Sequence, residues 1–517
     1  MSMRVRAGGP AVAAALVAAL VSGCDSGGTD AGGGTGGSTG GSSRSGAMAG
    51  LPAALTGQKP DWRACEAPKG GEKPGSQWRC ASVKVPLDYA KPGGETISIA
   101  LIRQEARDKD RRIGSLLFNF GGPGASGVTA MPRMAGEYHE LGARYDLVGF
   151  DPRGVARSSG VTCRDSEDQA ASLERVDLTP DTPAEEAAFM KDGADFGAGC
   201  AERSGKVIAH VTTSNTARDL DLVRHVLGDE KLHYMGFSYG TQLGGTYAHL
   251  FPRNVGRTVL DAVVDPTADS AGHARNQAIG FQRALNNYFA STGEGAAAGN
   301  ARVTALLKRL DREPLSTADG RTLTQSLALT GIAATLYSEE TWPYLTKSLE
   351  EAETGRGGAL LRLADIYNDR EPDGTYGTQA HSQRAISCAD SSSRPTVAEA
   401  KALLPEFRKI SPVFAEFMAW DTAGWCADWP VKGEGVTPEA SAPGSAPILV
   451  VGTTGDSATP YEGAKKMADE LGAGVGVLLT YKGEGHGAYG SGNACVQDTV
   501  NGYLLDGKVP ASGTTCS

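Results

Sequence analysis

The chain lacks a surplus of positive charge. Acids outnumber bases by 60 to 50, giving a formal net charge of −10 and a pI near 5.4. A nucleic-acid binder needs a basic face, so that class is set aside. It also lacks the usual zinc signatures, since no Cys-x-x-Cys pair and no clustered Cys/His spacing occurs, and no metal or other cofactor is expected. No internal repeat is present. The apolar stretch near the N-terminus, PAVAAALVAALVS, is roughly a dozen residues, short of the about 20 that a spanning helix requires. What remains is a chain of 517 residues, 40% hydrophobic and 21% charged, ordinary values for a folded protein of one large domain or two to three average ones.

The short apolar stretch has another use. Arg4 and Arg6 precede it and Val21-Ser22-Gly23-Cys24 ends it, the order of a signal peptide closed by a lipobox. Residues 1–23 are therefore expected to be removed and Cys24 to be lipidated. An ordinary signal peptide cut at nearby small residues is the alternative. From Asp25 to Gly50 the chain is almost all Gly, Ser and Thr, too poor in apolar side chains to fold. Residues 24–60 thus read as an anchor and tether with a reach of roughly 25–30 Å. Setting Cys24 aside leaves eight of the nine cysteines, an even number that suits an oxidising compartment. They fall into four sequence-local pairs, expected as Cys65–Cys80, Cys163–Cys200, Cys388–Cys426 and Cys495–Cys516. The protein is expected at the outer face of the cell membrane, held only by its lipid, or released.

Seven short runs read as strands: ISIALI, SLLFNF, YDLVGF, LHYMGF, TVLDAVV, PILVVG and VGVLLTY. Several are apolar throughout, as strands covered on both faces are. NTARDLDLVRHVLG, before LHYMGF, has helical periodicity, and strands alternating with helices indicate an α/β fold with a mostly parallel sheet. After Asp265-Pro266 about 170 residues read as helices and loops before PILVVG resumes the strand pattern. The expected organisation is an α/β core over 61–265 and 441–517, interrupted by a mainly helical cap at 266–440. Such a cap would sit over the carboxyl ends of the strands, where open α/β sheets bind ligands.

LHYMGFSYGTQLG holds the chemistry. Gly-x-Ser-x-Gly occurs twice, but Ser38 lies in the tether, whereas Ser238 stands between a strand and a helix, the setting of a nucleophile elbow. A serine hydroxyl needs a base and an orienting acid. His486, in the loop GEGHGAYG after the last strand, is the expected base. Asp456, which ends PILVVGTTGD, is the expected acid, and Asp265, after TVLDAVV, is its competitor. The turn Phe120-Gly121-Gly122-Pro123-Gly124 after SLLFN would supply an oxyanion hole from the N–H groups of Gly122 and Tyr239.

The motifs NFGGPGASG, GFDPRGVARS, GFSYGTQLGGTYAHLFP, VLDAVVDP, GTTGDSATP, GEGHG and the closing CVQDTVNGYLLDGKVPASGTTC make the chain from about residue 60 onward resemble a secreted bacterial tripeptidyl aminopeptidase. That family lies within the α/β-hydrolases, beside the proline iminopeptidases. The resemblance implies Ser238 as nucleophile, Asp456 as acid, His486 as base, and peptides with free N-termini as substrates. It also implies an acid from the cap to hold the substrate ammonium, for which Glu339, Glu340 and Asp390 are candidates. Two rivals stay open. A secreted carboxylesterase or lipase would use the same triad on an apolar slot, and a non-enzymatic binding module would keep the fold alone.

Overall fold

The computed structural model describes residues 50–67, 72–435 and 440–517. The expected signal segment, Cys24, Ser38 and the tether up to residue 49 lie outside the described residues. The strands are β1 (Arg63–Ala64), β2 (Trp78–Pro86), β3 (Thr96–Gln104), β4 (Gly114–Asn119), β5 (Tyr145–Phe150), β6 (Leu232–Phe237), β7 (Val255–Asp261), β8 (Leu315–Ser316), β9 (Thr322–Leu323), β10 (Ile448–Gly455), β11 (Gly476–Glu484) and β12 (Thr514–Cys516). Ten of them form one sheet in the order β1-β2-β3-β5-β4-β6-β7-β10-β11-β12. Every pairing from β5 to β12 is parallel. The N-terminal strands join antiparallel, β1 to β2, β2 to β3 and β3 to β5.

Strand periodicity explains why the parallel strands are apolar throughout. On β4, Leu117 enters one apolar cluster while Leu116 and Phe118 enter another. On β10, Ile448 and Val450 face the first cluster and Leu449 and Val451 the second. Alternate residues thus point into two separate cores, one on each face of the sheet. Burying each Leu, Ile or Phe is worth about 1.5–3 kcal/mol, so neither face tolerates a polar stripe. The helix before β6 runs Thr213–Val226, two residues earlier at its start than the sequence suggests, because Thr212 caps it by accepting from the Asn215 N–H.

Among the described residues, eight α-helices, from Ser270–Ser291 to Ala415–Gly424, lie between β7 and β10 together with the β8–β9 hairpin. They have an apolar core of their own, with Phe281, Leu285, Phe289, Ile332 and Phe414 all buried in it. A long helix ahead of β6, Pro183–Ile208, packs its Phe189 against Trp420 of this helical stretch. Four disulfides join the sequence-local pairs, Cys65–Cys80, Cys163–Cys200, Cys388–Cys426 and Cys495–Cys516. Among the described residues no helix is long and apolar enough to cross a membrane.

Candidate active site

Ser238 directly follows β6 and caps the helix Tyr239–Leu250 with φ at 55°, a left-handed value that a side chain rarely adopts. Two glycines make that turn possible. A methyl on Gly236 would lie 2.3 Å from the Gly240 carbonyl oxygen, and one on Gly240 would lie 2.7 Å from the Asn119 carbonyl oxygen. The serine is half-buried. Its N–H donates to the Asp261 carbonyl at 3.1 Å, which ties the turn to the end of β7.

Asp456 follows β10 and is fully buried. Its carboxylate accepts from the N–H groups of Ala458 (3.0 Å), Thr459 (2.8 Å) and Gly487 (3.3 Å). His486 follows β11 and presents Nδ1 to Asp456, 2.9 Å from Oδ1 and 3.1 Å from Oδ2. The Thr459 hydroxyl is 3.3 Å from the same nitrogen. This orientation fixes the tautomer with the proton on Nδ1 and leaves Nε2 to accept one. Burial alone would depress the imidazole pKa, but the charge of Asp456 and its hydrogen bond, with the charge of Asp261 adding, raise it above the ordinary value. From the helical stretch, Tyr337 accepts the His486 N–H at 2.8 Å and sets its ring edge-on to the imidazole.

The glycine turn after β4 lies against the serine. A methyl on Gly121 would stand 2.8 Å from Ser238 Cβ and 3.4 Å from the Tyr239 nitrogen. Gly121, Gly122 and Gly124 all have φ between 88° and 104°, conformations open to glycine. Asn119 Oδ1 accepts the Gly121 N–H at 3.0 Å and so sets the start of the turn.

The remaining acids divide. Asp265 lies four residues beyond the end of β7 and is engaged elsewhere, by Lys466 at 2.7 Å, Asn276 at 3.0 Å and the Thr267 hydroxyl at 2.8 Å. Glu339 and Glu340 are exposed, on a 3-10 turn just after Tyr337. Asp390 is not a free pocket acid. It ends the helix Gln379–Asp390 with each carboxylate oxygen accepting from Thr213, one from the N–H and one from the hydroxyl, so a role as ammonium partner is not its main engagement.

Two acids with a place in the site escaped the sequence reading. Asp261, at the end of β7, accepts the N–H groups of Ala488 (3.0 Å) and Tyr489 (2.9 Å), and burial pushes its carboxyl up to about 6. It thereby holds the His486 loop and the serine turn to one strand end. Its signal was an acid inside the apolar run TVLDAVV. Glu484 ends β11, and a methyl on Gly455 would lie 2.4 Å from its Oε2. Asn287 donates to its Oε1 at 2.8 Å, while among the described residues Oε2 has no hydrogen-bond partner. Burial, with the charge of Glu339, raises its pKa.

A cavity of about 430 Å³ opens elsewhere, walled by Trp78, Thr129, Arg133 and Arg157 beside the Cys65–Cys80 disulfide. Among the described residues no group of three or more His, Cys, Asp or Glu is placed to hold a metal ion.

A parallel sheet in this order, with its serine in a strained strand-to-helix turn and a His–Asp pair on two later strand ends, is an α/β-hydrolase, and the enzyme is a serine hydrolase. Residues 411–516 match the family model described as TAP-like protein. Over 89% of its length the chain is 36% identical to serine protease Hip1 of Mycobacterium tuberculosis, covering 91% of that protein. It is 35% identical over 85% of its length to a carboxylesterase B of the same species, covering 86% of it. Over 88% of its length it is 32% identical to the tripeptidyl aminopeptidase of Streptomyces lividans, covering 86% of that enzyme. The chain belongs to this tripeptidyl-aminopeptidase-like family of serine hydrolases.

Proposed function

We propose that the protein is an exported serine aminopeptidase that releases short peptides, tripeptides in particular, from free N-termini. The observations that support this reading are the His486–Asp456 pair at 2.9 Å and, after β6 of the same sheet, a serine held at φ 55°. Ser238 attacks the scissile carbonyl carbon as His486 Nε2 takes its proton. Asp456 keeps the imidazole in the required tautomer and stabilises the imidazolium that forms. The N–H groups of Gly122 and Tyr239 receive the negative oxygen of the tetrahedral intermediate, each worth about 2.7–4 kcal/mol. His486 then protonates the leaving amine, and water resolves the acyl-enzyme by the same route.

The substrate ammonium needs a carboxylate partner once it is removed from water. Glu339 and Glu340 border the Tyr337–His486 contact, and Glu484 lies beside them with an oxygen that has no partner among the described residues; these three take that role. The helical stretch at 266–440 acts as the cap that closes over the strand ends. Cys24 carries the lipid, and the tether lets the enzyme stand off the outer face of the membrane.

A carboxylesterase is the second reading, favoured by the relative that bears that name. Digestion of free and N-acetylated peptides and of simple esters, with products identified by mass, separates the two. Free peptides should release tripeptides while acetylated ones resist. Equal cleavage of both peptides, or a strong preference for esters over either, overturns the aminopeptidase reading.

A further inference from the structure

The acid engaged by Thr213 has a different place. Asp390 is half-buried at the C-terminus of the helix Gln379–Asp390. Its Oδ1 accepts the Thr213 N–H at 2.7 Å and its Oδ2 accepts the Thr213 hydroxyl at 2.6 Å. The same hydroxyl oxygen lies 2.6 Å from the phenol oxygen of Tyr239, the residue that follows Ser238. A threonine hydroxyl has one proton. With that proton on Asp390, the Thr213 oxygen must accept from Tyr239, so the chain of bonds runs in one direction. Tyr239 is itself buried, and among the described residues its hydroxyl makes this contact.

The same helix also touches the other half of the oxyanion turn. A methyl on Gly124 would lie 2.6 Å from the Gln379 carbonyl oxygen and 3.1 Å from the Gln383 nitrogen, so the first turns of the helix pack on the glycine turn. Cys388–Cys426 fastens its last turn to the end of the helix Ala415–Gly424. One helix therefore grips both segments that carry the expected N–H donors. A half-buried carboxylate in the last turn of a helix, facing that end's negative partial charge, is a poor choice for stability alone. Burial pushes it up to about 7, the two bonds from Thr213 pull it back, and the charge of Glu434 adds to the rise.

We propose that Asp390 is a positioning residue for the oxyanion hole: through Thr213 it fixes the Tyr239 ring, and with it the direction of the Tyr239 N–H. The proposal rests on the reading in which that N–H receives the oxyanion. Asp390 touches no reacting atom, so its loss should act on the transition state and not on substrate binding.

The test uses the whole mature protein and four variants, Asp390→Asn, Thr213→Val, Thr213→Ser and Tyr239→Phe. Losing a whole oxyanion donor costs about 10²–10³-fold in kcat, and misdirecting one should cost about tenfold. Asp390→Asn and Thr213→Val should show that fall with KM unchanged. Affinity for a peptide aldehyde, which forms the tetrahedral adduct, should fall by the same factor, while affinity for the product tripeptide stays. Thr213→Ser keeps the hydroxyl and should restore wild-type values. Tyr239→Phe should repeat the loss, and it decides the matter if Asp390→Asn does not fold. Wild-type kcat and aldehyde affinity in Thr213→Val and Tyr239→Phe overturn the proposal, as does an equal loss of aldehyde and product affinity. Failure of the underlying reading looks different: Ser238→Ala would then still turn over.

Discussion

Exchanging Asp456 for Asn should cripple the enzyme, whereas the same exchange at Asp265 should barely touch its activity. Asp456 takes N–H donors on both oxygens, Ala458 and Thr459 on Oδ1, Gly487 on Oδ2, and His486 across both. An asparagine must turn its NH₂ toward one of these sets. Keeping the carbonyl oxygen on the two turn amides puts the NH₂ against His486 Nδ1 and the Gly487 N–H. The imidazole must then accept at Nδ1 and hold its proton on Nε2, so it can no longer take one from Ser238. In the template triad this wrong tautomer costs about 10⁴ in kcat, or about 5.4 kcal/mol at 1.36 kcal/mol per tenfold. The Gly487 N–H left facing a donor adds about 1–3 kcal/mol of lost stability. At Asp265 an amide oxygen still accepts from Thr267, and what is given up is the Oδ2 acceptor for Lys466, whose side chain is 49% exposed, and for Asn276. That loss falls on stability, about 1–3 kcal/mol, and leaves the His486 tautomer untouched. Initial rates on a chromogenic tripeptide and thermal melts of both variants measure the two effects. A loss of rate from Asp265→Asn equal to or above that from Asp456→Asn would refute the assignment.

Four further outcomes follow from the geometry. The pKa of His486 is raised above its ordinary value, and catalysis needs the neutral ring. The acid limb of kcat/KM should therefore lie above about pH 6.5, with activity lost as pH falls through the raised value; a limb below pH 6 would contradict this. The charged His486–Asp456 pair should stabilise the fold most below that limb, and this contribution should fade as pH rises through it. Gly121→Ala should abolish activity and cost about 1–3 kcal/mol, because its methyl meets the Phe237 carbonyl at 2.7 Å and Ser238 Cβ at 2.8 Å. Gly320, with a similar φ of 82° and nothing near, is the control, where an alanine should cost about 1–2 kcal/mol and leave activity intact. Peptide mapping without reduction should recover four disulfide-linked pairs with no free thiol among the eight cysteines.

Most of the sheet was legible because its central strands are apolar on both faces. Each of the seven strand-like runs contains a strand, and LHYMGF ends at the residue before Ser238, as its composition suggests. β2 was not legible. WRCASVKVP interleaves exposed Arg79 and Lys84 with buried Trp78 and Val83, and two charges in nine residues blur the pattern. The strand-to-loop setting singled out Asp456 and His486, since each side chain is carried by local chain direction alone. Asp390 and Asp261 were misjudged or missed for the opposite reason. Their surroundings come from segments about 177 and 227 residues away in sequence, Thr213 for one and the Ala488 loop for the other. Asp390 is the last residue of a helix, and only the fold sets Thr213 against its carboxylate. Glu484 was hidden in the same way, because only the fold lays it over Gly455.

Ser238 is the residue on which the account turns. Incubation of the mature protein with a fluorophosphonate, followed by proteolysis and mass mapping, reads it directly. The account predicts one modified residue, Ser238, with activity lost in step with labelling and no labelling in Ser238→Ala. Modification of a different serine, or full peptidase activity in an enzyme modified at Ser238, would contradict it.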